Sequence, residues 1–249
     1  MSSVLEPTRD VFGAGRRGVR HAGVRRANEK TVLTVVAFNS GASNAEISRL
    51  SGLAPQTVSA ILVDLEQEGL IERGPVLRGR RGQPATPILL HENGGFSIGV
   101  EISWRHFDVV LINMHAKILQ HHHEDHAYPD ASSLFDRIGA VTEEFRHSLG
   151  QDQRSRLLDI GLAMPGSLTT DLDLLHAPPE QVVRWRQLDP VAELAQRSEL
   201  KITQVNDGNA GCWAELIALA PPRPANILFL MVSPLLLAGM VSDGTLLAW

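Results

Sequence analysis

The chain has 249 residues, enough for one large or two modest domains, and its 43% apolar content is that of a folded core. Its single cysteine, Cys212, excludes an intrachain disulfide, and no run reaches the ~18 apolar residues that read as a membrane span. A formal charge of −5 excludes bulk nucleic-acid affinity for the whole chain, but residues 1–90 hold 12 Lys+Arg against 8 Asp+Glu and residues 91–249 hold 11 against 20. A basic head on an acidic body is the asymmetry of a DNA-binding module joined to something that does not bind DNA.

Residues 1–25 set Arg16, Arg17, Arg20 and Arg25 among glycines, with Arg26 next. They read as a flexible basic arm that adds salt-dependent backbone affinity, or as a plain disordered terminus. Residues 26–90 read as a DNA-binding unit. An apolar helix is expected from Asn28 to Phe38, with Val32, Val35 and Val36 on one side. The stretch NAEISRLSGLAPQTVSAILVDLEQEGLI then reads as helix, tight turn, helix. Asn44 is the expected N-cap, Ile47 and Leu50 face inward, Gly52 makes the turn, and Pro55 opens the second helix. Val58, Ile61, Leu62 and Leu65 recur at i, i+3, i+4, i+7 as one buried stripe, and Gly69 is the C′ residue. This leaves Gln56, Thr57 and Ser59 exposed at the helix N-terminus, the positions that meet base edges in a helix-turn-helix. The alternative is an αα-hairpin inside a larger core. Leu70 to Leu90 reads as a β-wing whose tip carries Arg78, Arg80 and Arg81, suited to a minor groove or flanking phosphates. Asp64, Glu66 and Glu68 make the other end of the second helix acidic, so that end should point away from phosphates.

His91 to Gly95 is the expected linker, and residues 91–249 form the body. Strands are expected at Phe96–Ile102, Phe107–Asn113 and from Ile118, then a helix near Ser132–Leu149. A buried strand, Leu158–Ala163, ends at Met164-Pro165-Gly166. A helix near Pro190–Arg197 leads to strand Lys201–Val205. Asn206-Asp207 closes that strand, and a helix, Ala210–Leu219, follows. Ile227–Val232 and Leu235–Val241 read as strands, and Asp243-Gly244 as a hairpin turn. The order indicates a mixed α/β sheet. The run His121 to His126 reads as a solvated strand end: consecutive residues of a strand alternate faces, so the histidines do not converge on one ion, and no metal is expected. Cys212, on an apolar helix with no histidine nearby, reads as inert.

Taken together, the helix-turn-helix, the wing GRRGQPATPILL, the strand FSIGVEI, the turn GLAMPG, Trp185 within VVRWRQLDP, the stretch VNDGNAGCWAE and the closing SDG hairpin resemble the ROK family (repressor, open reading frame, kinase), specifically its winged-helix regulators. The resemblance covers nearly the whole chain. It implies an α/β body with an actin-like (ribonuclease H-like) sugar-kinase-type ATPase fold and a sugar or sugar derivative as effector. By resemblance, Asp207 matches the kinase base on the sugar hydroxyl, Asn206 adds a donor and an acceptor, and Gly166 matches a backbone contact of the sugar pocket. The same Asn-Asp pair also suits a plain helix N-cap.

The departures point away from catalysis. The family kinases' Asp-x-Gly-Gly-Thr loop is replaced by Glu101-Ile102-Ser103-Trp104-Arg105, and the second phosphate loop by the apolar Ser233–Gly239. Neither lets backbone approach phosphates as glycine does. The family's Glu-x-Gly-His element and cysteine-rich zinc site are expected after Asp243-Gly244 and do not occur before Trp249, which reads as an incomplete second lobe with exposed apolar strands prone to self-association. The sequence therefore predicts a cytoplasmic, sequence-specific regulator, more a repressor than an activator. It would bind a double-stranded, pseudo-palindromic operator as a homodimer, with a carbohydrate effector, no cofactor and no membrane association. A carbohydrate kinase using Asp207 as base, and a DNA-binding remnant that does not sense sugar, are the alternatives.

Overall fold

The computed structural model describes residues 21–75, 86–168, 170–220, 223–232 and 236–247. The chain divides into two compact units at the step from His91 to Glu92. No helix among the described residues is long and apolar enough to cross a membrane.

The first unit packs three helices, α1 (His21–Phe38), α2 (Asn44–Ser51) and α3 (Pro55–Gln67), against the antiparallel pair β1 (Ile71–Arg73) and β2 (Ile88–Leu90). Its core is Val32, Val36, Ile47, Val58, Ile61, Leu62, Leu65, Ile71 and Ile88. Helix α1 starts at His21, so residues 21–25, expected in a flexible arm, are helical; residues 1–20 lie outside the described residues. The cap of α2 is Ser43, one residue before the expected Asn44. Its hydroxyl takes the Glu46 N–H while the Glu46 carboxylate returns to the Ser43 N–H, so two orphan donors are satisfied at once. Leu50, expected inside, is exposed. Gly52 holds φ +70° between the helices. Helix α3 ends in a Schellman motif: Leu70 donates to the Leu65 carbonyl and Gly69, at φ +71°, to that of Glu66. The α1–α2 connection pairs with the wing, since Gly41 donates to Ile88 and Ile88 to Ala42.

The second unit is built on a five-stranded mixed sheet ordered β5 (Ile118–Asp125), β4 (His106–Asn113), β3 (Phe96–Ile102), β6 (Leu157–Met164), β7 (Ile202–Asn206). The first three are antiparallel; β3, β6 and β7 are parallel. One face carries Phe96, Ile98, Val100, Ile102, Phe107, Val109, Leu111, Ile160 and Leu162, packed in one core with Leu134, Phe135 and Ile138 of α4 (Leu134–Ser148) and Leu194 of a later helix. A short helix α5 (Gln151–Arg154), a 3-10 turn (Leu172–Leu175) and α6 (Pro179–Gln187) were not foreseen; α7 (Pro190–Ser198) and α8 (Asp207–Ala218) follow. Trp185, fully buried on α6, donates its indole N–H to the Pro129 carbonyl at 2.8 Å. A second, antiparallel sheet of β8 (Ile227–Val232), β9 (Leu236–Ser242) and β10 (Thr245–Leu247) packs on α8 through Cys212, Leu216, Val241 and Phe229.

Candidate functional site

Two sites are suggested by the sequence, one in each unit. In the first, Gln56 is exposed and Thr57 half-buried in the first turn of α3, while the apolar stripe of that helix faces the core. Ser59 is exposed too, but its hydroxyl is engaged: it donates to the Pro55 carbonyl at 2.9 Å and accepts from the Asn44 amide at 2.7 Å, leaving one lone pair. Asn44, assigned to a cap by sequence, is therefore the residue that ties α2 to α3. Arg78, Arg80 and Arg81 lie outside the described residues. The acidic end of α3 is occupied from within the unit: Asp64 meets Arg25 at 2.7 Å and Glu66 meets Arg73 at 2.8 Å. Arg25, counted with the arm in the sequence, is thus held to Asp64 and Glu29.

In the second unit the parallel strands β3, β6 and β7 end side by side, and an open α/β sheet binds ligands outside the carboxyl ends of its strands. Glu101 lies at the end of β3 and pairs in register with Ala163; Met164, before the Pro165-Gly166 turn, pairs with Asn206. A Cβ placed on Gly166 would stand 3.8 Å from the Asn206 amide nitrogen, so the fold brings these two residues together. Asn206 caps α8 by accepting from the Gly208 N–H at 3.0 Å, and Asp207 accepts from the same N–H at 2.9 Å. Burial pushes the Asp207 carboxyl above the usual aspartate range, although the Gly208 N–H favours its charged form. Burial also raises Glu101, with Asp108 and Asp207 adding to the rise and His106 opposing it. Sequence reasoning passed over Asn209, in the first turn of α8. It is buried, and its side-chain oxygen has no partner among the described residues. The signal was its place in the VNDGNAGCWAE stretch.

Residues 233–235 of the second stretch that replaces a phosphate loop lie outside the described residues, and the described parts of both stretches are filled. Trp104 is buried in the core rather than lining an open loop. A Cβ at Gly239 would come within 2.1 Å of the Gly208 carbonyl oxygen, so this glycine serves the contact of β9 with α8. Cys212 is buried, and burial pushes its thiol upward.

The histidines of β5 alternate faces, with His121 and His123 exposed. His121 and His123 do share a face of β5, but they converge on a residue of the neighbouring strand. Asp108 Oδ1 lies 2.5 Å from His121 Nε2 and 3.0 Å from His123 Nδ1, and Asp108 Oδ2 lies 3.5 Å from His106 Nε2. His122 turns to the other face and stacks on Phe107. Alternation was applied to one strand alone, whereas the partners come from its register with β4.

Comparison with known proteins agrees with this architecture. A MarR family profile matches residues 22–82, and the ROK family profile matches residues 97–248, more than half of the chain. The chain belongs to the ROK family. Curated relatives include the xylose repressor of Bacillus subtilis (strain 168), 25% identical over 221 residues that cover 84% of this chain and 54% of the relative. The DNA-binding transcriptional repressor Mlc of Escherichia coli (strain K12) is 24% identical over 230 residues, covering 90% of this chain and 55% of the relative. The chain thus spans about half the length of the curated relatives it matches. A crystal structure of a ROK family transcriptional regulator, a homologue of the E. coli MLC protein, superposes with a TM-score of 0.63 at 20% identity, over 90% of this chain and 56% of that one. These matches to 84–90% of the chain take in residues of both units.

Proposed function

We propose that this ROK protein is a sequence-specific DNA-binding transcriptional regulator, a repressor that responds to a sugar or sugar derivative. The observation that carries the reading is the first turn of α3, with Gln56 exposed and Thr57 half-buried, in a winged helix joined to a ROK body. Gln56 and Thr57 read base edges, and Ser59 adds its remaining lone pair from a position fixed by Asn44. Arg78, Arg80 and Arg81 hold the minor groove or flanking phosphates. The relatives named as repressors support the direction of control.

The effector sits at the carboxyl ends of β3, β6 and β7. Asp207 accepts a sugar O–H, Asn206 donates and accepts, and the backbone at Gly166 lines the pocket. The unpartnered oxygen of Asn209 adds an acceptor that a hydroxyl donor satisfies. Two copies act together on a two-fold operator. Supporting association, β8 and β9 carry Leu228, Leu230, Val232 and Leu236 exposed.

The test is fluorescence anisotropy of the protein on its own upstream DNA against scrambled DNA, across a salt series and a sugar panel that includes xylose and glucose. Selective binding released by one sugar is expected. Replacing Gln56 and Thr57 with Ala should cost the preferred operator about 1–3 kcal/mol per lost base contact and relax the preference. Unchanged preference would sink the assignment of α3. A kinase reading draws only on the raised carboxyl of Asp207, the property of a general base. Sugar-dependent ATP turnover abolished by Asp207→Asn would establish it. The filled positions of Trp104 and Gly239 argue for no turnover.

A further inference from the structure

We propose that Glu101, His106 and Asp108 are the protein ligands of a zinc-class divalent-cation site, with His121 and His123 holding Asp108 in place from the adjacent strand. The three ligands lie on the sheet face opposite the α4-packed core. One donor atom from each lies within 4.8 Å of the others. Tetrahedral zinc with bonds of about 2.0–2.1 Å separates its ligand atoms by about 3.4 Å, close to the 3.5 Å between His106 Nε2 and Asp108 Oδ2. The longer separations, within 4.8 Å, must shorten for the tetrahedral set to close.

The charges of the cluster point the same way. Glu101 and Asp108 are directly opposed in the β3–β4 register, an arrangement of like charges that destabilises a sheet. Asp108 is met by His106, His121 and His123, whereas among the described residues no lysine or arginine forms an ion pair with Glu101 or Asp108. A dication removes this repulsion. The supporting groups are already placed. The next residue in that cross-strand row is His123, whose Nδ1 lies 3.0 Å and 3.1 Å from the two oxygens of Asp108. His121 takes Asp108 Oδ1, and Asp125 stands 3.4 Å from His123 Nε2. Ligating carboxylates are ordinarily steadied by such partners, and their loss costs about 10–100-fold in metal affinity. The imidazole donor selects zinc, nickel or cobalt over magnesium or calcium.

The experiment titrates Zn2+ into the untagged full-length protein against a competing chromophoric chelator, with Mg2+ as the contrast. One equivalent of Zn2+ is expected to bind with a rise in Tm, and Mg2+ to leave Tm unchanged. Asp108→Asn and His106→Ala should weaken binding at least 100-fold, His123→Ala about 10–100-fold, and His122→Ala, on the opposite face, not at all. Failure to bind Zn2+, equal binding of Mg2+, or Zn2+ binding that survives Asp108→Asn and His106→Ala overturns the site. If those variants do not fold, Co2+ added to the wild-type protein decides. Visible d–d bands together with His106 imidazole resonances shifted and broadened far more than those of His122 support the site, and equal or larger effects at His122, or no bands, reject it.

Discussion

Asp207, the proposed acceptor of a sugar hydroxyl, departs from what the fold alone would select. Its carboxyl is buried at the first turn of α8, and burial raises it above an ordinary aspartate. The sign follows from linkage. A carboxyl raised in the folded state costs stability above its folded value, and that cost vanishes below its unfolded value of about 3.8. Asp207→Asn keeps an acceptor for the Gly208 N–H and removes the buried charge. It should therefore raise Tm at pH 7 in chelator-treated buffer and leave Tm nearly unchanged at pH 3.5. A variant that is less stable at pH 7 would show that the charge is compensated by a partner. The same substitution should weaken release of operator by sugar, because a hydroxyl loses its anionic acceptor.

At the scale of elements, the contact of α8 with β9 depends on missing side chains. A Cβ on Gly208 would stand 2.4 Å from the Ala238 carbonyl oxygen, and one on Gly239 would stand 2.1 Å from that of Gly208. Both obstacles are backbone and cannot swing aside. Gly239→Ala should cost about 1–3 kcal/mol or more, a fall in Tm of roughly 2–10 °C by differential scanning calorimetry. Gly166→Ala meets only the Asn206 amide at 3.8 Å, an ordinary contact, and should leave Tm unchanged. The contrast separates a glycine that packing requires from one that it does not.

What could be read from sequence follows the same division between local and distant causes. The stripe of α3 was legible because i, i+3, i+4 spacing is local, and Pro55 and Gly69 mark its ends. Asn206 and Asp207 were legible because a strand-to-helix junction has its own signature. The cap of α2 was displaced by one residue, since Ser43 and Glu46 form the reciprocal pair and Asn44 is drawn to Ser59. Helix α6 was missed because it buries only Gln181 and Trp185, too few apolar positions to make a period. The Glu101–Asp108–His123 row depends on which strands pair and in what register, which no single strand reveals.

Across the whole molecule, the unresolved tension is an apolar face in an acidic body. On β8 the residues Ile227 and Phe229 pack toward α8, which turns Leu228, Leu230 and Val232 outward with exposures of 62%, 57% and 86%. The β8–β9 register sets Val232 against Leu236, itself 70% exposed, and Leu228 against Met240. Strand β8 is also an edge of its sheet among the described residues, so apolar surface and unpaired backbone coincide. Scattered exposed leucines need no explanation, but a contiguous row beside an open edge favours pairing between copies. Sedimentation velocity should therefore show a concentration-dependent dimer or larger species. Leu230→Lys with Val232→Lys should shift it toward monomer without lowering Tm, because both side chains are already in solvent. The same double variant should weaken binding to a two-half-site operator while leaving binding to a single half-site unchanged. A wild-type protein that stays monomeric at high concentration would remove this face as the dimer contact and leave two-fold operator recognition to another surface.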